Sequence, residues 1–520
     1  MSRSAIVVGA GPGGLAAAML LAASGVDVTV VERGETVGGR SARIDLGPYR
    51  FDTGPTFFIY PRVLREIFRA CGSDLDAHVE MRRLDPMYRL SFLAEGGGAA
   101  DHLRLWSDPE RSKQALAAFS PDDAAGLDRF LAENRRKLAA FEPALSKPAS
   151  TVTDLLSPAL LKGLMLLKPW RSVDQDLARH FRDPRVRLAF SFQSKYLGMS
   201  PYRCPSLFTI LAFLEHEHGV WHPTGGCNAV IEAMAAQARD MGVTFRLGTP
   251  VRELEFEGRR AVGVRTDAGV ERADAVVLNA DFAHAMKSLV PDRLRRRWTD
   301  AKLATKRFSC STFMLYLGVE GAVDLDHHTI ALSEDYQGHV EAIETGDAPP
   351  ATPSVYVQNA SVSDPTLAPR GHSTLYVLVP VANASRGIDW TAERGAYREL
   401  VLRRLARLGV DRLSERIRAE RVMTPMHWEQ DLAVHQGATF NLAHSLDQML
   451  LFRPHNRFED LDGVYLVGGG THPGSGLPVI FESARISTRL LTEDLGITPH
   501  WEAPSAMAAP NYVPAIAEAL

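Results

Sequence analysis

Three separated parts of the chain share one pattern, in which a short apolar run ends at a glycine-rich turn. The first run, Ala5-Ile6-Val7-Val8, precedes the helix-forming stretch "PGGLAAAMLLAASG", which stops at Gly25. A second buried run, "VDVTVVE", then ends at Glu32. Strand, tight turn, helix and strand in this order predict a βαβ unit at the start of the chain.

The same pattern returns in the middle and near the end of the chain. Residues 242–280 predict a hairpin followed by a parallel strand, and "GVYLVGGG" at 463–470 predicts a strand before the helix "PVIFESARISTRLLTEDLG". Residues 108–200 have a helical pattern, and residues 308–450 mix strands with a helix. We therefore predict an α/β fold whose Rossmann-like domain is assembled from distant segments.

Length, composition and charge narrow the class of protein. At 520 residues the chain is long enough for two or three packed units, and 45% hydrophobic and 23% charged residues are typical of globular proteins. The net charge of −4 argues against a nucleic-acid binder. Because the four cysteines lie far apart without CxxC or metal spacing, we expect a reducing cytosol and no metal site. We expect no secretory signal peptide.

The turn after the first strand, "GAGPGG", has the G-x-G-x-x-G spacing of a dinucleotide-binding fingerprint. Gly9 allows the tight turn, Gly11 lets a pyrophosphate approach the backbone, and Gly14 lets helix and strand pack closely. Glu32 lies where a carboxylate accepts hydrogen bonds from ribose hydroxyls. The absence of G-K-[ST] excludes a P-loop. The fingerprint leaves NAD and FAD open.

A second glycine turn, Gly38-Gly39-Arg40, follows Glu32, and "FDTGPT" makes a third turn soon after it. Arg40 is suited to neutralise pyrophosphate charge. Taken alone, a surface loop and a cofactor loop explain this turn equally well. A lone NAD-binding unit has no obvious need for it.

This succession of motifs resembles FAD-dependent oxidoreductases of the glutathione-reductase and amine-oxidase type, and more narrowly the bacterial and fungal type of phytoene desaturase. The last block of the similarity is highly specific, because a shared FAD fold alone would not produce it. The similarity runs in family order to about residue 490, through "HGVWHPTGGCNAVIEAM" (218–234), "VVLNADFAHAMKSLVP" (276–291), "STFMLYLGV" (311–319), "LYVLVPV" (375–381) and "LLFRPHNRFEDLDGVYLVGGGTHPGSGLPVI" (450–480).

The resemblance implies FAD as the redox cofactor, held by residues from all three glycine-rich parts of the chain. The residues expected around the adenosine and pyrophosphate are Gly9, Gly11, Gly14, Glu32, Gly39 and Arg40, with Val251 at the adenine and Asn279 and Ala280 where the chain returns to the cofactor. The residues expected around the ribityl chain and the flavin ring are Gly469, Gly470, Gly476, Leu477, Pro478 and Val479.

The resemblance also implies a domain plan. Residues 1–70, 219–300 and 452–497 form the FAD-binding domain, and residues 71–107 and 301–451 form a mixed α+β substrate domain. Residues 108–218 form a mainly helical lid or membrane-associated region. The Pro/Ala-rich tail, residues 498–520, is expected to be loosely packed.

The implied reaction removes hydrogen across a CH2–CH2 unit of phytoene or a related polyene, with oxygen or a quinone as electron acceptor. Two alternatives stay open: a C30 diapocarotenoid or hydroxycarotenoid desaturase or oxidase, and a non-catalytic isoprenoid carrier like the dissociation inhibitors of prenylated GTPases. The intact cofactor fingerprint argues against the carrier. Phe481 and Glu482 depart from the small apolar residues of many phytoene desaturases, which leaves the substrate length open.

No catalytic base is assigned from the sequence. His472 is expected to support the glycine cluster, and Glu482 to lie near a helix N-terminus. His222 is expected to flank a cavity. Glu215 is expected in a solvated or capping cluster on a helix.

The implied substrate resides in lipid, so we expect a cytoplasmic protein peripherally attached to the inner face of the membrane. The stretch "LLSPALLKGLMLLKPW" (155–170) suits an interfacial helix with snorkelling lysines, although composition fits a buried helix about as well. Arg135, Arg136 and Lys137 are expected to attract anionic lipid.

Overall fold

A computed structural model describes residues 3–94, 100–155, 163, 165–499 and 501 of the chain. In these residues the strands are, in chain order, β1 Ser4–Val8, β2 Asp27–Val31, β3 Arg43–Leu46, β4 Tyr49–Asp52, β5 Phe58–Ile59, β6 Met81–Arg83, β7 Tyr88–Phe92, β8 Asp101–Leu105, β9 Val220–Pro223, β10 Thr244–Arg246, β11 Val251–Glu257, β12 Arg260–Thr266, β13 Gly269–Arg272, β14 Ala275–Leu278, β15 Ser311–Glu320, β16 His328–Leu332, β17 Val355–Gln358, β18 His372–Val381, β19 Ile417–Met423 and β20 Val464–Leu466.

The α-helices of the described residues span Pro12–Ala23, Arg62–Ala70, Leu75–His78, Pro109–Phe119, Ala124–Leu145, Val152–Leu155, Val173–Leu177, Pro184–Ala189, Ile210–His218, Cys227–Asp240, Phe282–Leu289, Asp300–Ala304, Tyr336–Thr345, Trp390–Ala406, Leu413–Arg416, Pro425–Gln430 and Leu477–Asp494.

A five-stranded parallel sheet with the strand order β10-β2-β1-β14-β20 joins both ends and the middle of the chain. The inner strands β1 and β14 and the edge strand β20 are apolar because both faces of the sheet are covered. The helices Pro12–Ala23 and Leu477–Asp494 pack against each other on one face. The predicted α/β fold is confirmed.

A seven-stranded mixed sheet, β19-β15-β18-β17-β16-β7-β8, forms the second layer of the molecule. Its longest pairing, between β15 and β18, is antiparallel and runs over ten residues of each strand. The helix Trp390–Ala406 packs on one face of this sheet. The sequence predicted a simple hairpin in residues 242–280, but β13 adds a third antiparallel strand because only two residues separate it from β12.

Two residues of the helix Ala124–Leu145, Glu133 and Lys137, form a charged cluster with Asp176 and Arg179 from the segment around the helix Val173–Leu177. The Lys137 ammonium is 0% exposed and pairs with Asp176, while Arg179 donates to both acidic residues. The expectation that Lys137 attracts lipid is therefore wrong, because its ammonium group is buried and forms an ion pair inside the helical region. Arg135, expected in the same role, pairs with Glu217 at 2.6 Å.

The predicted interfacial segment, residues 155–170, lies mostly outside the described residues. At its described end, Met165 is 72% and Trp170 is 61% exposed. Lys168 does not snorkel; it approaches Glu133 at 3.3 Å. No helix in the described part of the chain is both long and apolar enough to span a membrane.

The tail departs from its prediction at one described residue. Trp501 is buried against the helix Pro12–Ala23 and donates from Nε1 to the Ser24 hydroxyl at 3.1 Å. Residues 502–520 of the predicted loose tail lie outside the described residues. All four cysteines are free thiols.

Candidate cofactor site

The glycine fingerprint lies at the carboxyl end of β1. Gly9 has a φ of +101°, which favours glycine. A Cβ on Gly14 would lie 2.1 Å from the Gly9 carbonyl oxygen, so the start of the helix admits no side chain there. Asn279, at the end of β14, donates from Nδ2 to the same carbonyl at 3.2 Å. Asn279 therefore supports the loop from below.

The Glu32 carboxylate lies at the same edge of the parallel sheet. It accepts hydrogen bonds from the backbone N–H groups of Ala10 and Gly34, both at 2.7 Å. The Thr249 N–H donates to the Glu32 carbonyl, which brings the half-buried Val251 at the start of β11 close to this carboxylate. Glu32 and Val251, predicted to meet the ribose and the adenine, thus lie close to each other. We call this edge of the parallel sheet, with the three glycine-rich turns, the cofactor corner.

The second glycine turn contacts the loop that contains Thr439. Gly39 has a φ of +54°. Arg40 donates to the Thr439 carbonyl at 2.9 Å, and its burial lowers its pKa while Asp281 raises it. Asp281 follows the half-buried Ala280 and accepts from Asn441 Nδ2 at 2.7 Å. Arg40 is thus held by groups that the sequence did not indicate.

The glycine cluster after β20 is held by one buried cation, Arg453. Its guanidinium donates to the carbonyls of Gly469 (2.6 Å) and Thr471 (3.1 Å), among others. Burial without a carboxylate partner lowers the pKa of Arg453 to about 9. His444, also buried, accepts from the Ser475 N–H at 3.0 Å. Neither role is predicted from the sequence, although Arg453 stands in the motif "RPHNR".

The cluster ends at the start of the helix Leu477–Asp494, with Gly476 as its N-cap. Glycine has no side chain to cap a helix, and Gly11 begins the helix Pro12–Ala23 in the same way. Residues 475–480 are half-buried, whereas Gly469 and Gly470 are buried. Leu477, Pro478 and Val479 therefore present partly open backbone beside a helix N-terminus, which favours negative charge.

A third glycine-begun helix shows the contrast. The Asp52 carboxylate accepts from the N–H groups of Cys227 and Asn228, both at 2.8 Å, and caps the helix Cys227–Asp240. Burial outweighs these bonds and raises the pKa of Asp52 to about 6. The "FDTGPT" and "GGCNA" motifs therefore support each other, and the two uncapped helices are the ones left for a ligand.

Tyrosine hydroxyls from the seven-stranded sheet fix the turn after Asp52. Tyr316 donates to the Thr53 carbonyl at 2.5 Å, and Tyr376 donates to the Gly54 carbonyl at 2.6 Å. Tyr356 shares a hydrogen bond of 2.8 Å with the Thr56 hydroxyl. This turn therefore lies between the sheet and the glycine loops.

The four residues considered as catalytic bases are not gathered in one place. His472 is buried in the cluster and bonds through Nε2 to the Lys147 carbonyl at 2.9 Å, as expected of a supporting residue. His222 bonds to Asp364 at 3.0 Å, and Glu482 approaches Arg485 at 3.3 Å. Glu215 is fully buried, so the expected solvated cluster is wrong. Hydrogen bonds from Tyr88, Gln193 and Tyr196 offset part of the free-energy cost of burying this carboxyl group.

The arrangement fits a dinucleotide. Its pyrophosphate would meet the uncapped helix N-terminus at Gly11, its ribose the Glu32 carboxylate, and its ribityl chain and flavin ring the backbone of residues 476–479. The glycines of the fingerprint leave the close approach that such a group needs, since Gly11 bears no Cβ beside Asn279. Direct contacts of the individual predicted residues with the cofactor stay predictions.

Residues 12–491 match the family of flavin containing amine oxidoreductases. The chain belongs to this family, and it is an oxidoreductase that uses FAD.

Its relatives narrow the class to carotenoid desaturases. A 4,4'-diapophytoene desaturase (4,4'-diapolycopene-forming) of Methylomonas sp is 43% identical over 95% of this chain and 96% of the relative. An all-trans-zeta-carotene desaturase of Myxococcus xanthus is 42% identical, over 96% and 94%. A neurosporene-forming phytoene desaturase of Rhodobacter capsulatus is 36% identical, over 96% and 95%. The resemblance read from the motifs is confirmed.

Solved structures show the same fold at low sequence identity. An oxidoreductase from Methanosarcina mazei superimposes with a TM-score of 0.61 at 17% identity, over 93% of this chain and 99% of its own. Putrescine oxidase has a TM-score of 0.60 at 15% identity, over 95% and 99%. These similarities support the fold alone.

Proposed function

We propose that the protein introduces conjugated double bonds into phytoene, zeta-carotene or 4,4'-diapophytoene. It rests on one observation, the intact cofactor corner with half-buried apolar side chains near it: Phe208 lies 6.2 Å from His444, whose ring accepts the Ser475 N–H of the glycine cluster. The half-buried apolar side chains that pack with Phe208 against the core of the helical region include Phe57, Tyr196, Met199, Leu211, Leu214 and Tyr356. Bound FAD supplies the hydride acceptor, and these side chains would hold a hydrocarbon against it and exclude water.

The length of the accepted polyene is not set by the "FES" motif in this proposal. Phe481 is buried in the apolar core of the parallel sheet, and Glu482 pairs with Arg485, which also binds Glu66 at 2.8 Å. Both side chains therefore have structural partners. The residues suited to select substrate length are the partly exposed apolar ones.

The test is conversion of defined precursors. Purified protein with FAD and phosphatidylcholine vesicles carrying one of the three polyenes should yield a product with a longer absorbing chromophore. Assays in air and, without oxygen, with a quinone would identify the electron acceptor, which we propose to be one of the two. No new chromophore from any of the three polyenes would reject the proposal.

We further propose that the protein attaches peripherally to the cytoplasmic face of the membrane. The exposure of Met165 and Trp170 beside an apolar stretch supports this, because a tryptophan at the end of such a segment suits the headgroup region. Lipid is also where these substrates dissolve.

A further inference from the structure

One carboxyl group in the helical region has no charged partner. Glu215, on the helix Ile210–His218, accepts through Oε1 from Tyr196 Oη at 2.8 Å. Its Oε2 accepts from Tyr88 Oη at 3.0 Å and from Gln193 Nε2 at 2.8 Å. Both oxygens are bound by neutral donors, and no described lysine or arginine pairs with this carboxyl.

The elements packed around Glu215 add no charge. Tyr88 on β7 and Tyr196 are the titratable groups that face it. Its neighbours on the helix point elsewhere: His216 stacks on Phe190 at 5.2 Å, and Glu217 binds Arg135. Burial outweighs the three hydrogen bonds and raises the pKa of Glu215 to about 7. Both protonation states are therefore accessible near neutral pH.

Tyr196 connects this carboxyl to the apolar interior. Its half-buried ring lies 5.3 Å from Phe57, centroid to centroid, and Phe57 directly follows the turn that the sheet tyrosines fix. Phe208 lies 6.2 Å from His444, which holds the Ser475 N–H of the glycine cluster. Phe57, Tyr196 and Phe208 all pack against the apolar core of the helical region, and we call these half-buried side chains the apolar wall.

The other candidate bases are already engaged. Glu482 pairs with a cation, His222 with the Asp364 carboxylate, and His472 with a backbone carbonyl. Among these four groups, Glu215 is the acid whose partners are neutral and one of whose partners faces the apolar interior.

We propose that Tyr196 and Glu215 together accept the proton released in each dehydrogenation, an inference that rests on the proposed function. Loss of hydride from one substrate carbon makes the adjacent C–H bond acidic. The electron pair of that bond forms the new double bond, and its proton passes to Tyr196 Oη. The phenol passes its own proton to Glu215 Oε1. The phenol is regenerated, and the carboxylate becomes a carboxylic acid that later releases the proton.

In these roles Tyr196 is the catalytic residue, and Glu215 acts through it. Tyr88 and Gln193 hold the second carboxyl oxygen, so that Oε1 stays directed at the phenol. A water-poor wall explains the need for the pair, because the released proton has no bulk solvent to enter.

The test compares E215Q and Y196F with two matched controls, E217Q on the same helix and Y202F at a partly exposed tyrosine. The FAD-loaded proteins are assayed with vesicles carrying the polyene that the wild type converts. We expect kcat to fall about 100-fold in E215Q and Y196F, the typical scale of proton-transfer catalysis, with KM and FAD binding unchanged. The rise of kcat with pH around 7 should disappear in E215Q and stay in both controls.

A second readout needs no turnover. Infrared difference spectra should show a carboxylic-acid C=O band that titrates around pH 7, above the Asp52 carboxyl with its pKa of about 6, in the wild type, and this band should be missing in E215Q. Y196F keeps the Glu215 carboxyl group. If E215Q does not fold, the kcat of Y196F alone tests the proton transfer.

A wild-type rate and pH profile in both variants, or no titrating band, would overturn the inference while wild-type turnover upheld the proposed function. Absence of wild-type turnover would reject the proposed function itself.

Discussion

At the scale of single residues, the fingerprint turn of the cofactor corner has no room for a side chain at Gly14. Gly14→Ala would push a Cβ to 2.1 Å from the Gly9 carbonyl oxygen, which belongs to backbone and cannot turn away. We expect loss of FAD binding and a lower melting temperature, measured by flavin absorbance and calorimetry.

The control is Gly395→Ala, in the helix Trp390–Ala406, where an added Cβ meets nothing within 4 Å. It should be neutral or stabilise by up to about 1 kcal/mol, since alanine favours a helix. Normal FAD binding by Gly14→Ala would mean that the fingerprint is not built as described.

Arg453 is the residue on which the glycine cluster depends. Arg453→Met removes donors from several buried carbonyls, each of which costs about 1–3 kcal/mol when unsatisfied. We expect at least a tenfold weaker FAD affinity and a lower free energy of unfolding, from flavin titration and urea denaturation. Arg307→Met, at an exposed arginine paired with Asp447, is the matched control and should change neither. Equal behaviour of the two variants would exclude the supporting role.

Glu215 predicts a pH dependence of stability as well as of rate. Its pKa is raised from 4.5 to about 7 on folding, so its contribution is fully present below pH 4.5 and is lost as the pH rises through 7. The span corresponds to about 3 kcal/mol. Urea denaturation at pH 4.5 and pH 8 should therefore show E215Q gaining stability relative to the wild type at the higher pH. Parallel wild-type and E215Q values would contradict the raised pKa.

At the scale of elements, the helical region is fastened by its buried charges. Lys137→Met leaves Asp176 and Glu133 with fewer cations, and breaking one partner of a buried pair costs about 3–5 kcal/mol. Lys113→Met removes a surface lysine paired with Glu110 and should leave the melting temperature nearly unchanged, because surface ion pairs contribute little. Equal melting temperatures for the two variants would show that the cluster does not fasten the helix.

The sequence predicts elements well where one pattern has one explanation. The βαβ unit, β15, β18 and the C-terminal helix all follow from the pattern of apolar residues. Charged residues on helices were harder, because Lys137 and Glu215 look like surface residues unless their partners are known. Asp176 stands 39 residues from Lys137, and Tyr88 stands 127 residues from Glu215. Local sequence patterns do not reveal contacts over such separations.

The cofactor corner shows the same limit. Its glycines and Glu32 are predictable because their spacing reflects backbone geometry. Arg453, His444 and the sheet tyrosines act through side-chain hydrogen bonds to backbone carbonyl or N–H groups, and such bonds leave no periodic pattern in the sequence.

At the scale of the whole molecule, membrane attachment can be tested without altering the cofactor corner. The double change Met165→Ser and Trp170→Ser should reduce flotation with anionic liposomes several-fold, because both exposed side chains lose apolar surface. Val270→Ser, at an exposed valine on β13, is the control. Unchanged flotation of the double variant, with normal FAD content, would exclude this attachment site.

The strand order β10-β2-β1-β14-β20 also has a consequence for biosynthesis. The first βαβ unit leaves the ribosome with its neighbouring strand β14 more than 240 residues behind it and β20 later still. Until residues 464–494 emerge, the helix Pro12–Ala23 has no C-terminal helix to pack against, and the nascent chain exposes that apolar face. Because residues from both ends of the chain build the cofactor corner, we expect FAD capture to wait until residues 464–494 have been made.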